Sequence, residues 1–215
     1  LHKLPELYKK KDETNINQVD ISFPKLEKFN HLPVHGTGEP SAFVSIIEGC
    51  NKYCSFCVVP KTRGHEVSRT IEDILNEISA LAEEGTREIH LLGQNVNNFK
   101  GTYKGEKSSL ARLIELTAKI ENIERIRYTT SHPHEFRDDL VEVYDKVPEL
   151  VSHVHLPIQS GSDRILKLMR RRYNVEKYLL LIEKIKQVRP DMSFSSDFIV
   201  GFPGETKDDF MGTMD

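Results

Sequence analysis

The chain has 215 residues, 38% hydrophobic and 29% charged, which is enough apolar material for one sizeable core and too much for a disordered chain. Lys plus Arg total 30 against 33 Asp plus Glu, a formal net charge of -3, so bulk charge makes no case for a nucleic-acid partner. No apolar run of about 18 residues occurs, which excludes a membrane-spanning helix, and the opening LHKLPELYKK lacks the apolar centre of a secretory signal, so a cytoplasmic protein with no membrane attachment is expected.

Residues 1–40 stand apart. They hold Lys9-Lys10-Lys11-Asp12-Glu13, several Asn and Pro and the stretch His35-Gly-Thr-Gly-Glu-Pro40, with weak apolar periodicity, and read as a linker or the tail of a preceding domain. From Ser41 a rhythm begins. A strand over 42–47 leads into a cysteine-bearing loop, then a helix whose apolar Ile71, Ile74, Leu75, Ile78 and Leu81 share one face, capped by Thr70 with Asp73 and ended by Gly85. The unit repeats as a strand at 88–92 with a helix at 109–120, and a strand at 125–129 with a helix at 138–147. A strand at 153–156 follows with helices at 162–170 and 174–188, then a strand at 193–200. The last helix opens on a capping box, Thr206 to Asp209, close to the final residue Asp215, and the first residue is Leu1, not Met; the chain is expected to be an excised piece of a longer protein.

Five successive strand–helix units imply parallel strands joined by right-handed crossovers: an α/β fold, either an open doubly wound sheet or an open or truncated β/α barrel. The unusual polar residues all follow a strand: Cys50 to Cys57, Gly93-Gln-Asn-Val-Asn97, Ser131-His-Pro133, Gln159-Ser-Gly-Ser162 and Gly201-Phe-Pro-Gly-Glu-Thr206. They would converge at the carboxyl ends of the strands, where ligands bind in both architectures.

All three cysteines, Cys50, Cys54 and Cys57, lie within eight residues, a poor disulfide framework and a good metal-ligand set. A structural zinc site and a closed 4Fe-4S cluster each want four ligands, so three thiolates leave one iron of a cubane open to a small molecule. A zinc site completed by a distant His is the alternative.

The spacing Cys-x3-Cys-x2-Cys, with the aromatic Phe56 before the last Cys, resembles the radical S-adenosylmethionine superfamily. That resemblance implies that S-adenosylmethionine chelates the open iron through its amino and carboxylate groups and is cleaved by one electron to methionine and a 5'-deoxyadenosyl radical. Residues 49–60, then Arg63-Gly64, Ser68-Arg69 and Leu91-Leu-Gly-Gln-Asn-Val-Asn97, are similar to the tRNA methylthiotransferases of the MiaB type over about 41–215. The implied reaction adds a methylthio group to C2 of N(6)-isopentenyladenosine beside the anticodon. The implied fold is a radical-SAM core, a partial barrel of about six parallel strands over 41–215, truncated at its C-terminal end. The implied partners are the tRNA anticodon stem-loop and an external electron donor such as flavodoxin or ferredoxin, and the enzyme is expected to be a monomer.

Several residues acquire candidate roles. Gly93 lets the backbone approach a cofactor, and Gln94 and Asn95 offer amide donors and acceptors, which the resemblance sets against the methionine end; the plain alternative is a turn chosen for Gly and Asn. Gln159, Ser160 and Gly161 suit ribose or carboxylate contacts, while Ser162 is also an ordinary helix N-cap. The loop 201–206 lacks the Lys of a nucleotide-binding P-loop, and the resemblance puts it beside the adenine with Ile199 and Gly201 shaping the pocket. Asp197 is a candidate polar contact. The cluster Arg170-Arg-Arg172 is either a solvated helix end or a contact to cofactor carboxylate or RNA phosphate, with Arg172 favoured by the resemblance. His153 and His155, on one face of a strand, read as barrel lining before a ligand pair, and His132 and His134 as loop residues around Pro133.

Asp138-Asp139 and Asp208-Asp209 begin helices and are no glycosidase pair. The chain departs from the resembled family in lacking the three cysteines of an N-terminal domain, which would hold a second cluster implicated in sulfur supply, and a C-terminal RNA-binding domain. The rival readings are a ribosomal-protein methylthiotransferase of the same superfamily and a zinc-stabilised module without catalysis.

Overall fold

The computed structural model describes residues 3–20, 29 and 38–215, and the chain falls into two units, 1–34 and 35–215. In the first unit, α1 (Leu4–Thr14) forms where the sequence offers only weak periodicity. Pro5 suits its first turn, Asn15 ends it in the left-handed conformation, and none of its residues is buried. A helix therefore stands inside the segment expected to be a linker, whose parts at 21–28 and 30–37 lie outside the described residues.

The second unit is built on five parallel strands. In chain order it contains β1 (Ser41–Ser45), β2 (Ile47–Glu48), α2 (Val59–Thr62), β3 (Val67–Ser68), α3 (Ile71–Glu83), β4 (Glu88–Leu92) and the hairpin β5 (Thr102–Tyr103) and β6 (Glu106–Lys107). These are followed by α4 (Leu110–Thr117), β7 (Arg125–Thr129), α5 (Asp138–Lys146), β8 (His153–His155), α6 (Asp163–Leu168), α7 (Val175–Val188), β9 (Ser193–Ser195) and α8 (Lys207–Met214). β1, β4 and β7 form one parallel sheet in that order, with Ser41 opposite Glu88 and Glu88 opposite Arg125. A parallel bridge from Ile126 to Leu150 carries the row on toward β8, which pairs in parallel with β9.

Spatial order follows chain order without the reversal that defines a doubly wound sheet, so the winding is that of a barrel. Among the described residues β9 does not pair with β1, and the barrel is open. The last strand is shorter than the expected 193–200, because beyond Ser195 it meets β8's extension only through the Gln159–Phe198 bridge.

Helices cover one face. Side chains alternate across a strand, so Ala42, Val44, Ile89, Leu91, Ile126, Tyr128 and Val154 point together into the main core. Against them α3 buries Ile71, Ile74, Ile78 and Leu81, the three-and-four spacing of one helical face, and its N-cap Thr70 accepts from Asp73 N at 3.1 Å. Each such buried Ile contributes about 1.5–3 kcal/mol. Tyr128 and Tyr144 join their hydroxyls at 2.7 Å inside this core.

The opposite face is polar. Glu88 gathers Arg125, Arg127 at 2.9 Å and His90 at 2.6 Å. Burial by itself would raise the Glu88 carboxyl, but the hydrogen bonds from these three outweigh it and hold it at about 2. Further along, His153 and His155 both meet Ser195 Oγ, at 3.1 and 2.9 Å, and His155 also pairs with Asp197 at 3.3 Å, so they line this face as expected.

Candidate cluster and cofactor site

The cysteine loop, 49–66, is closed at its base by the antiparallel ribbon of β2 and β3, where Ile47 faces Ser68 and Glu48 faces Val67. Gly49 turns the chain out of β2 at φ 85, and a Cβ there would overlap the carbonyl oxygens of His65 and Gly64. Only glycine fits. Cys50 N then donates to Gly64 O at 3.1 Å, Cys57 N to Cys54 O at 3.0 Å, and Ser55 fastens the tip to α6 through its N to Met169 O and its hydroxyl to Leu168 O. Cys50 and Cys54 are 9% and 8% exposed, Cys57 is half-buried, and all three are free thiols. Burial pushes the Cys50 thiol up, so a thiolate there needs compensating positive charge.

Among the described residues no three His, Cys, Asp or Glu side chains converge as ligands of one metal ion. Zinc needs its sulfurs about 2.3 Å from a single point, whereas a cubane takes one thiolate per iron at separate corners. Three thiols spread along one loop suit the second.

The loop after β4 packs under the first. A Cβ at Gly93 would overlap Ile47, so glycine there permits close packing of the two loops. Gln94 Oε1 accepts from Gly49 N at 2.7 Å and pins the start of the cysteine loop. Asn95, 2% exposed, donates through Nδ2 to Glu66 at 3.0 Å, and Asn98 donates to the other oxygen of Glu66 at 2.6 Å. The Oδ1 atoms of both asparagines are buried without a partner. Asn97 makes a reciprocal pair with the His132 backbone, 2.9 Å each way, tying the loops after β4 and β7. Burial, reinforced by the charges of Arg171 and Lys52, pushes His132 down to about 2, so it is a neutral imidazole.

Arg171 connects the cysteine loop to the end of β8. α6 ends in a Schellman turn: Arg170 is left-handed at φ 59, Arg170 N donates to Lys167 O at 3.0 Å and Arg171 N to Leu166 O at 2.8 Å. That turn sends Arg171 inward, 9% exposed, where its guanidinium donates to Cys54 Sγ at 3.4 Å, Pro157 O at 3.1 Å and Tyr173 Oη at 2.8 Å. Arg172, which the resemblance favours, is exposed.

The remaining expected residues fall into a second group. Gln159, left-handed at φ 80, donates its N to Asp197 O at 3.0 Å and accepts from Ile199 N at 2.9 Å, so these three sit together at the ends of β8 and β9. The Asp197 side chain is 69% exposed and turned to His155. Ser160 is fully buried, accepts from Ser162 N at 3.1 Å and lies 3.4 Å from Thr213, and a Cβ at Gly161 would overlap Gly212 of α8. Ser162 is the N-cap of α6, as its local reading expects. Gly201 is exposed and held by the Glu205 carboxylate, and Phe56 is 39% exposed at the loop tip. Sequence reasoning missed Glu66, and it missed Lys52, paired with Glu135 across loops. Single acids and lysines in polar loops carry no local mark of partners 29 or 83 residues away.

Residues 44–215 match the Radical SAM superfamily. The chain belongs to that superfamily. It is 59% identical over all 215 residues to a tRNA-2-methylthio-N(6)-dimethylallyladenosine synthase of Yersinia pseudotuberculosis serotype O:3 (strain YPIII), covering 45% of that protein. It is 56% identical to the protein of the same name from Vesicomyosocius okutanii subsp. Calyptogena okutanii (strain HA), covering 49% of it. The chain thus spans about half the length of the curated relatives it matches. Among solved structures, the cobalamin-dependent S-adenosylmethionine radical enzyme OxsB superposes with TM-score 0.62 at 12% identity, over 80% of this chain and 25% of that one. The radical S-adenosylmethionine methyltransferase TsrM from Kitasatospora setae gives 0.62 at 16%, over 81% of this chain and 33% of that one. At such identities the agreement is one of fold.

Proposed function

We propose that the protein is a radical S-adenosylmethionine methylthiotransferase that adds a methylthio group to C2 of N(6)-isopentenyladenosine beside the tRNA anticodon. The observation that carries this reading is the 59% identity, across every residue of this chain, with a relative named for that synthase activity. Residues 41–215 form the radical-SAM core, and residues 1–40 belong with a preceding domain.

Cys50, Cys54 and Cys57 would hold one 4Fe-4S cluster, which, bound and reduced, would supply the electron for cleaving S-adenosylmethionine. The residues present fit both groups. Arg171 brings a buried positive charge to Cys54 Sγ, the compensation that buried thiolates require. Asn95 and Asn98 sit in the loop that Gln94 bonds to the cysteine loop, and both are buried there, ordering the wall behind the cofactor. Glu66 fixes which way both amides face, by taking their Nδ2 groups. Gln159, Ser160, Asp197, Ile199 and Gly201 form the far wall of the cofactor site, with Phe56 and Arg172 at its rim. Neutral His132 orders the loop after β7: its Nδ1 accepts from His134 N at 3.2 Å, which leaves its one ring proton on Nε2.

A second cluster and the sulfur it supplies lie outside this sequence. The enzyme works as a cytoplasmic monomer with an external flavodoxin- or ferredoxin-type donor. Expressing the full-length protein that contains this sequence in a bacterial strain without its own methylthiolating enzyme, then digesting its tRNA for mass spectrometry, tests the reading. The 2-methylthio nucleoside appears if the reading holds; unchanged isopentenyladenosine together with a methylthiolated ribosomal protein selects the rival.

A further inference from the structure

A cavity of about 580 Å³ opens beside the cluster loops, lined by Lys100, Lys107, Ser108, Ser109 and Arg137. Its three cations face no carboxylate among the lining residues, and none of the three is in an ion pair among the described residues. Cations elsewhere in the loops are committed: Lys52 to Glu135, Arg69 to Glu77 at 2.5 Å, and Arg171 to Cys54 and two oxygens. Three like charges around one concavity repel each other unless an anion joins them, and here they do so on a chain of net charge -3.

We propose that this cavity binds a backbone phosphate of the RNA substrate, a contact separate from the cofactor site and resting on the function proposed above. The recess is preformed by short-range bonds. Lys100 N donates to Ser68 Oγ at 3.1 Å and Ser108 N to Gly101 O at 2.8 Å, which lock the β5–β6 hairpin against the end of β3. Ser109 caps α4 by accepting from Arg112 N, and its own O–H remains a donor toward the recess, at the positive end of that helix.

The position links the recess to the reaction face. Lys100 follows the Gly93–Asn98 loop and Arg137 follows the loop after β7. Between them Glu135 is paired with Lys52 of the cysteine loop. Burial works to raise the Glu135 carboxyl, yet it is lowered, by Lys52 first and with Lys100 contributing, which places Lys100 within electrostatic reach of that pair. S-adenosylmethionine is a poor occupant, because its single carboxylate comes with an ammonium and a sulfonium, leaving a net positive charge to meet three cations. A phosphodiester flanking a nucleotide presented to the cluster meets the requirement: one negative charge, several acceptor oxygens and no base-edge readout.

The test measures binding of a labelled anticodon stem-loop RNA to the full-length protein that contains this sequence, by anisotropy between about 50 and 200 mM salt. The proteins are the wild type, Lys107→Ala, Arg137→Ala, the double variant, and Lys119→Ala as an exposed control near the other end of α4. Each lost phosphate contact lowers the slope of log affinity against log salt by roughly 0.7–0.9. The expected result is weaker binding and a shallower slope for both single variants, more so for the double. Lys119→Ala and the rate of 5'-deoxyadenosine formation stay unchanged. RNA binding with the same slope in all variants overturns the inference and leaves the proposed function standing. Inorganic phosphate displacing RNA while the variants keep RNA affinity assigns the recess to free phosphate and also overturns it. Failure of the wild-type full-length protein to bind RNA at all overturns both.

Discussion

Gly49 and Gly105 have nearly the same backbone, φ 85 and φ 83, in very different surroundings. Replacing either by Ala forces a side chain into the left-handed region at about 1–2 kcal/mol. At Gly105 the added methyl meets nothing within 4 Å, so that cost is the whole effect. At Gly49 it overlaps the carbonyl oxygens of His65 and Gly64, backbone atoms that cannot swing aside, which adds about 1–3 kcal/mol. With a urea m-value of about 2 kcal/mol/M, midpoints fall by roughly 0.5–1 M for Gly105→Ala and roughly 1–2.5 M for Gly49→Ala. Because Gly64 O is also the acceptor for Cys50 N, the loop relieves the overlap by opening at the first thiol. Gly49→Ala therefore loads less iron and sulfide on anaerobic reconstitution, and Gly105→Ala loads as wild type. Circular dichroism through a urea series with iron and sulfide assays reads both. Equal midpoints and equal iron content in the two variants would refute the reasoning.

Other outcomes follow from the same geometry. Glu88, depressed from 4.5 to about 2, stabilises the fold by at most about 3.4 kcal/mol. Screening at the 54%-exposed Arg125 reduces this to about 2 kcal/mol. Since the folded value is the lower one, that stability is present above pH 4.5 and lost as pH falls toward 2; Glu88→Gln should be destabilised at pH 7 and match the wild type near pH 2, and a pH-independent loss contradicts this. Arg171→Met removes the donor to Cys54 Sγ, so the reconstituted cluster should shift to a more negative reduction potential by spectroelectrochemical titration, with Arg171→Lys intermediate and Arg172→Ala unshifted. A shift in Arg172→Ala alone reverses the two assignments. Glu66→Gln sets an amide donor against Asn95 and Asn98 and should raise the S-adenosylmethionine concentration for half-maximal deoxyadenosine formation about tenfold, roughly 1.4 kcal/mol, with the melting temperature little changed. An unaltered concentration dependence places the cofactor elsewhere.

What the sequence discloses is what local bonds determine. β4 and β7 occupy the residues expected, because short apolar runs between polar breakers leave little choice of register. The N-caps Thr70, Ser109, Ser162, Asn174 and Thr206 accept from backbone N–H groups three residues on, a bond written into the sequence itself. The cysteine spacing is likewise local, and so the metal-binding loop is legible. The parts that escape reading are pairings across the fold. Glu66 finds Asn95 and Asn98 only once β4 lies beside β1. Arg171 and Arg172 are neighbours of one residue type, and only the left-handed Arg170 decides which of them turns toward Cys54. The β2–β3 ribbon is too short for any periodicity to announce. α1, with no buried face, has none to show.

The most direct test of the central claim is iron, sulfide and zinc content after anaerobic reconstitution, followed by reduction with S-adenosylmethionine present and chromatography for 5'-deoxyadenosine, with Cys54→Ala alongside. The three-thiol loop predicts about four irons for its cluster, and deoxyadenosine that disappears in Cys54→Ala. One tightly held zinc per chain, no cluster and no deoxyadenosine would contradict it and leave the cysteines a structural clip.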